Sequence, residues 1–374
     1  YFLSIDTYFS TLIISLIIGI GFFYYGKNSK KNIDFIEQLI LVITSYFLTS
    51  ILIAIPFYLS NYQVTFINSI FESVSGLTGT GFSIFKDIKY LDPTLILWRS
   101  SSQWFGGLFF LFFLIIIFSN KSFNYKMTNL SYSGDNNFKS EENIKDNLLR
   151  IFIIYSVLSI IILSLLNLTG VRLFNSLNMT MTLVSGGGFL PTESIGKIIS
   201  TNFQKIILIF SLMMSMLNFY LLFNIFNKNT LIKEHKEDLY LLVLAIVFCL
   251  FIYFNNYQGL DLMISVVSSL ANSGLTLMES NNNLSLYFLL ITIIGGSLIS
   301  NSSGIKLIRF YILLKITSLE IIKLISPNSI INKTIFNSDK KISDDNVKIS
   351  FLIFISFFLS LFILSSLLVF DNIG

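Results

Sequence analysis

The chain has 374 residues, 53% of them hydrophobic and 12% charged, with a formal net charge of +4. Soluble domains carry roughly 25% charged residues, so this chain has about half the charge needed to cover a water-facing surface. Cys249 is the only cysteine and His235 the only histidine, which excludes disulfides, thiolate clusters, multi-His metal sites and His-based catalytic triads.

A membrane-crossing helix needs about 20 apolar residues to span roughly 30 Å of hydrocarbon. The first such run, residues 8–25, lacks a basic leader and a small-residue cleavage site, so it reads as a span and not as a signal peptide. Residues 39–60 form the second run, followed by a half-length apolar segment, 66–77, and a full run, 95–118. After a polar, Asn/Lys/Ser-rich stretch at 120–147, the same order returns: 149–168, short 173–183, then 205–226. It returns once more as 239–254, short 262–270 and a long run, 284–325, broken near 295–304; a last run covers 349–370. Lys27, Lys30 and Lys31, then Lys121 to Arg150, Lys228 to Lys236, and Lys306 to Lys348 fall in alternate loops, which the positive-inside rule places in the cytoplasm. The net positive charge is explained by these loops and does not suggest nucleic acid.

The three short segments therefore lie on the outer side, too short to span and each ending in small residues. They align as Phe71–Ser83, Leu177–Phe189 and Ile264–Thr276, with Leu77, Leu183 and Leu270 each four residues before a glycine (Gly81, Gly187, Gly274). Non-helical backbone survives at membrane depth only where protein buries it or where it lines a watery path. A short helix pointing its C-terminus inward offers negative dipole charge there. Small residues let successive carbonyls replace the hydration shell of a monovalent cation, and glycine permits the torsions this needs. Ordinary glycine turns are the alternative, but a turn does not require a half-length apolar helix before it.

These motifs resemble the Trk/Ktr/HKT superfamily of potassium transporters, and within it the TrkH membrane subunits. Phe71–Phe82 resembles the first pore loop, Trp98–Gly107 the helix after it, Ser185–Phe189 and Ala271–Leu275 the second and third filters, and Gly295–Lys306 the broken helix of the third repeat. The resemblance implies an all-α polytopic membrane protein of repeated span–pore-helix–span units in pseudo-fourfold arrangement with re-entrant glycine loops. It divides the chain into an N-terminal helix (1–32), a first repeat (33–120), a cytoplasmic loop (121–147), a second repeat (148–228), a third with a broken second span (229–325), a second cytoplasmic loop (326–346) and the first span of a fourth (347–374). On that reading the fourth pore loop is absent, so the sequence is a fragment that could not by itself close a fourfold filter.

By position the resemblance assigns potassium-binding filter backbone to Thr78, Gly79, Thr80 and Gly81; to Val184, Ser185, Gly186 and Gly187; and to Ala271, Asn272, Ser273 and Gly274. Gly81 fits a potassium-preferring filter. It assigns an intramembrane gating loop to Gly295, Gly296, Ser300, Asn301, Ser302, Ser303, Gly304 and Lys306, poorer in glycine than is usual in the family. It further implies potassium uptake through the bacterial cytoplasmic membrane, a homodimer in lipid, bound K+ at the filter alone, and nucleotide only on a separate cytosolic regulatory subunit of the TrkA/KtrA type.

Single residues leave alternatives open. Glu72 either orients the first loop through backbone or Arg99 hydrogen bonds or faces water at the outer mouth. Lys306 either lines the gate or snorkels to the interface, which is commoner for a lysine at a helix end. Asn218 reads as a helix–helix hydrogen-bonding residue, Cys249 as a buried apolar group and His235 as a solvated loop residue. A secondary carrier with broken helices is the competing function, and an intramembrane enzyme the weakest; few mid-span charges and no paired mid-span carboxylates count against both.

Overall fold

The computed structural model describes residues 5–29, 34–119, 144–219, 221, 236–253, 259–277, 282–326, 333–336 and 341–370. His235 and most of the polar 120–147 stretch lie outside the described residues. Among the described residues the regular structure is helical, apart from one isolated bridge between Thr334 and Lys341, with longer irregular segments at 78–92, 186–201 and 295–306.

The helices run in chain order as α1 (Ile5–Gly26), α2 (Phe35–Tyr58), α3 (Phe66–Leu77), α4 (Pro93–Ser119), α5 (Ile144–Leu168), α6 (Leu173–Ser185), α7 (Asn202–Met216), α8 (Lys236–Tyr253), α9 (Leu260–Ala271), α10 (Asn282–Ile294), α11 (Leu307–Ile325) and α12 (Asp344–Phe370). Five of them, α1, α2, α4, α5 and α12, are long and apolar enough to cross a membrane. Thr65 caps α3 by accepting the Asn68 N–H, and Thr201 with Gln204 forms a capping box on α7, so both helices have fixed starts. The run at 205–226 does not form one continuous span: α7 stops at Met216 because Leu217 turns extended. The Met216 carbonyl then accepts the Ser297 N–H of the broken helix.

Burial separates the two kinds of helix. Four of the long helices bury little of their surface, α1 burying only Thr11, while α4 is half buried. The short helices are the core: on α9 every residue from Leu262 to Ala271 except Met263 is buried. Apolar burial here lets lipid and protein divide the helices by face, because outward Leu, Ile and Phe meet hydrocarbon as readily as they meet each other.

Packing follows a rule that repeats along the chain. Within each unit the short helix packs on its flanking spans: α3 on α2 and α4, α6 on α5 and α7, α9 on α8 and α10. Between units the second span packs on the next short helix, α4 on α6 and α7 on α9. The same relation holds from first to second unit and from second to third, and the segments after α3, α6 and α9 come together.

Candidate pore and gating loop

The three short helices end in the same backbone figure. The amides of Gly79, Gly186 and Asn272 bond to the carbonyls of Gly76, Leu183 and Ser269, and the next amides, Thr80, Gly187 and Ser273, reach back to Ser75, Thr182 and Ser268. Gly79, Gly186 and Asn272 are left-handed, with φ of 70°, 71° and 57°. Asparagine is among the few side chains that tolerate that region, so the third unit forms the turn without glycine.

This pattern corrects the sequence alignment by one residue. Thr78–Gly81 corresponds to Ser185–Gly188 and to Ala271–Gly274, so the partner of Gly81 is Gly188 and not Gly187. Val184 belongs to the last turn of α6. The run of three glycines at 186–188 made either register possible on paper, and the helix end decides between them. A methyl group added at Gly188 would stand 2.8 Å from the Ser273 carbonyl oxygen and 3.6 Å from Gly81 Cα. The three segments therefore meet in backbone contact.

A hydroxyl fastens each segment on its return. Ser75 Oγ donates to the Phe82 carbonyl (2.6 Å) and Thr182 Oγ1 to the Phe189 carbonyl (2.8 Å), seven residues on in both. Their counterpart Ser268 pairs with Ser273 Oγ at 3.0 Å. Sequence reasoning missed these hydroxyls, which line up only in the corrected register.

The motif 98–107 on α4 is a set of brackets. Trp98 Nε1 donates to the Ile53 carbonyl on α2 (3.1 Å). Arg99 Nε donates to Glu72 Oε1 at 2.7 Å, with both side chains buried. The same carboxylate accepts Ser83 Oγ (3.0 Å) and the Ile84 N–H (2.8 Å). Glu72 therefore orients the first loop and does not face the water at the mouth. The Arg99 guanidinium also lies over the Phe189 ring, 4.3 Å from its centroid, a favourable contact for a desolvated cation. One turn on, Gln103 Oε1 accepts the Phe189 N–H at 3.2 Å. Arg99 and Gln103, four residues apart on one helix face, thus hold the first and second segments to each other. Trp104 Nε1 donates to Ser159 on α5, and Gly106 presses on Leu77, where a Cβ would fall 1.9 Å from the carbonyl oxygen.

Below the segments sits the loop at 295–304. Its ends lie together: the Ile305 and Lys306 amides bond to the Ile293 and Ile294 carbonyls, so the chain leaves α10 and re-enters α11 at the same place. Ser300 and Ser302 hydroxyls bond to each other at 2.7 Å, and Ser302 Oγ accepts the Gly296 N–H at 3.0 Å. Lys306 does not snorkel. Its buried ammonium donates to the carbonyl and hydroxyl oxygens of both Ser300 and Ser302. Backbone carbonyls stranded at membrane depth need donors, and a lysine already inside the turn supplies three.

The loop is also tied to its surroundings. Ser297 N–H donates to Met216 and Phe219 N–H to Ile299. Glu237 Oε1 accepts the Leu298 N–H (3.0 Å), and Asp238 Oδ1 the Asn218 N–H (2.8 Å). Both carboxylates are buried in the first turn of α8, where the helix dipole favours negative charge. The sequence analysis did not single out this pair. Asn218 lies just past the end of α7 and not mid-helix. A cavity of about 490 Å³ is lined by segments and loop together, through Thr78, Gly79, Ser185, Asn301, Ser303 and Arg309 among others. Among the described residues, no group of three or more His, Cys, Asp or Glu side chains could hold a metal ion.

Repeated units of apolar helix, buried short helix and apolar helix, with the segments after the short helices in contact, define an all-α multi-pass membrane protein. No family model matches the chain. It is 28% identical to the potassium uptake protein TrkG of Escherichia coli over 395 aligned positions, covering 99% of this chain and 79% of that protein. It is 25% identical to E. coli TrkH over 348, covering 86% and 70%. An uncharacterized cation transporter of Methanocaldococcus jannaschii shares 25% over 329, covering 87% and 68%. The crystal structure of the potassium transporter TrkH from Vibrio parahaemolyticus matches with a TM-score of 0.81 at 19% identity, covering 96% of this chain and 77% of that one. In sequence over most of its length, and in fold, the chain is similar to the Trk potassium uptake proteins TrkG and TrkH.

Proposed function

We propose that this protein takes up potassium across the cytoplasmic membrane along the axis where Thr78–Gly81, Ser185–Gly188 and Ala271–Gly274 meet. The observation that carries the reading is the shared backbone figure at the three helix ends, whose three segments come into close contact at Gly81, Gly188 and Ser273. Turned by left-handed residues, such segments can present carbonyls to a dehydrated monovalent cation, with three helix C-termini adding negative potential. The relatives named above, potassium uptake proteins among them, support the choice of ion. The 295–304 loop, seated under the segments across the cavity, serves as the gate. In this reading K+ is cargo bound only at the filter, the protein works in lipid as a homodimer, and a cytosolic nucleotide-binding subunit acts on its cytoplasmic side.

The test is growth at low potassium of a bacterial strain stripped of its own uptake systems, carrying the complete gene or its Gly81→Ser and Gly188→Ala variants. Rescue by the parent, with growth lost or selectivity broadened in both variants, is the expected result. An inserted parent protein that neither rescues growth nor takes up rubidium in the presence of a regulatory subunit overturns the reading and brings the broken-helix carrier forward.

A further inference from the structure

The 295–304 loop touches the segments above it through a side chain as well as by proximity. Asn301 Nδ2 donates to the Val184 carbonyl at 2.9 Å. That carbonyl lies in the last turn of α6, where a helix leaves its carbonyls without intrahelical partners. Asn301 also brings its backbone close: a methyl group added at Gly186 would stand 3.5 Å from the Asn301 carbonyl oxygen. The other amide atom, Oδ1, is buried with no hydrogen-bond partner among the described residues, and Asn301 lines the cavity between loop and segments. The rest of the loop is folded on itself around Lys306, so it can move as one piece once its outer ties release.

We infer that Asn301 latches the intramembrane loop to the second filter segment, so that the loop leaves the axis only by breaking a bond to the backbone that shapes the filter. The inference rests on reading 295–304 as the gate. Asn301 is a positioning residue: it does not select the ion but sets how often the path beneath the filter is clear. The contact also runs in the other direction, because freeing the Val184 carbonyl loosens the turn that begins at Ser185. Opening and filter geometry are thereby coupled through one amide.

The experiment uses the full chain in proteoliposomes, with Cys249→Ser as background and Ser303→Cys as a reporter, since Ser303 is exposed and lines the same cavity. The rate at which a small water-soluble thiol reagent modifies that cysteine is compared for the parent, Asn301→Ala, Asn301→Asp and Asn301→Gln, alongside rubidium uptake. Losing one neutral hydrogen bond corresponds to roughly a fivefold rise in modification rate for the alanine variant. Asn301→Asp keeps the volume but turns an acceptor toward an acceptor, so it rises at least as far, while Asn301→Gln, which keeps a donor, stays nearer the parent. Rates within twofold of the parent for both Ala and Asp variants overturn the latch, as does an Asp variant that behaves like the parent while Ala does not. If modification accelerates but no variant or parent carries rubidium, the latch stands and the potassium reading falls. If the parent carries rubidium and modification is unchanged, the latch falls alone.

Discussion

Removing Arg99 or Glu72 singly damages this protein more than removing both. The pair sits at 2.7 Å with side chains 1% and 0% exposed, so neither charge can turn to water when its partner goes. Breaking a buried pair from one side typically costs about 3–5 kcal/mol, while replacing both members with neutral groups of similar size is often close to neutral. Glu72→Gln leaves the guanidinium buried with Ser83 and the Phe189 ring as company. Arg99→Met leaves a carboxylate that still accepts Ser83 and Ile84, and so falls nearer the lower end of the range. The double variant restores at least about 2 kcal/mol relative to the sum of the singles, a coupling well above the roughly 0.5 kcal/mol seen between independent sites. Denaturant unfolding of the purified protein in mixed micelles gives all four corners of the cycle, and rubidium uptake shows whether the loop after Gly81 keeps its shape. Additive losses, or an Arg99→Met variant less than 1 kcal/mol from the parent, would refute the reasoning, because either result means the pair is solvated.

Gly106→Ala places a methyl group 1.9 Å from the Leu77 carbonyl oxygen, a clash with backbone on a second helix that exceeds the 1–3 kcal/mol typical of overpacking; membrane levels of the protein should collapse, and a normal yield with normal melting counts against the packing described. Ser75→Ala and Thr182→Ala each remove one hydroxyl from a return-strand carbonyl. Each should cost about 1 kcal/mol and narrow the preference for rubidium over sodium uptake, whereas unchanged preference in the double variant would show that the fastenings do not shape the filter. Lys306→Met strips four oxygens of their donor. The Ser303→Cys reporter should then react faster than in any Asn301 variant, and a rate equal to the parent's would mean that the loop keeps its fold without the ammonium.

The membrane class and most of the alternation of long and short helices, the run at 205–226 excepted, were legible in the sequence, because hydropathy over about 20 residues is a local property set by the thickness of the bilayer. The half-length segments were legible for the same reason: a run too short to cross has to stop inside. Glu72 as a partner for Arg99 was readable as one of two options, and Asn272 in a left-handed turn was compatible with its residue type. What composition and periodicity could not supply was register and company. Three consecutive glycines at 186–188 accept a one-residue shift without altering any local preference, and only the end of α6 and the contact with Ser273 choose between the two. Lys306 looked like a snorkelling helix-end lysine, since nothing nearby in the chain announces that Ser300 and Ser302 curl back around it. Glu237 and Asp238 carry no mark of their role in the sequence, because the amides they accept, Leu298 and Asn218, arrive from 61 and 20 residues away. The sequence by itself determined which stretches enter the membrane and how far, since each stretch meets lipid on its own; the tertiary structure alone decided which polar groups face one another there, because a buried donor is satisfied by whatever the fold brings to it, however distant along the chain.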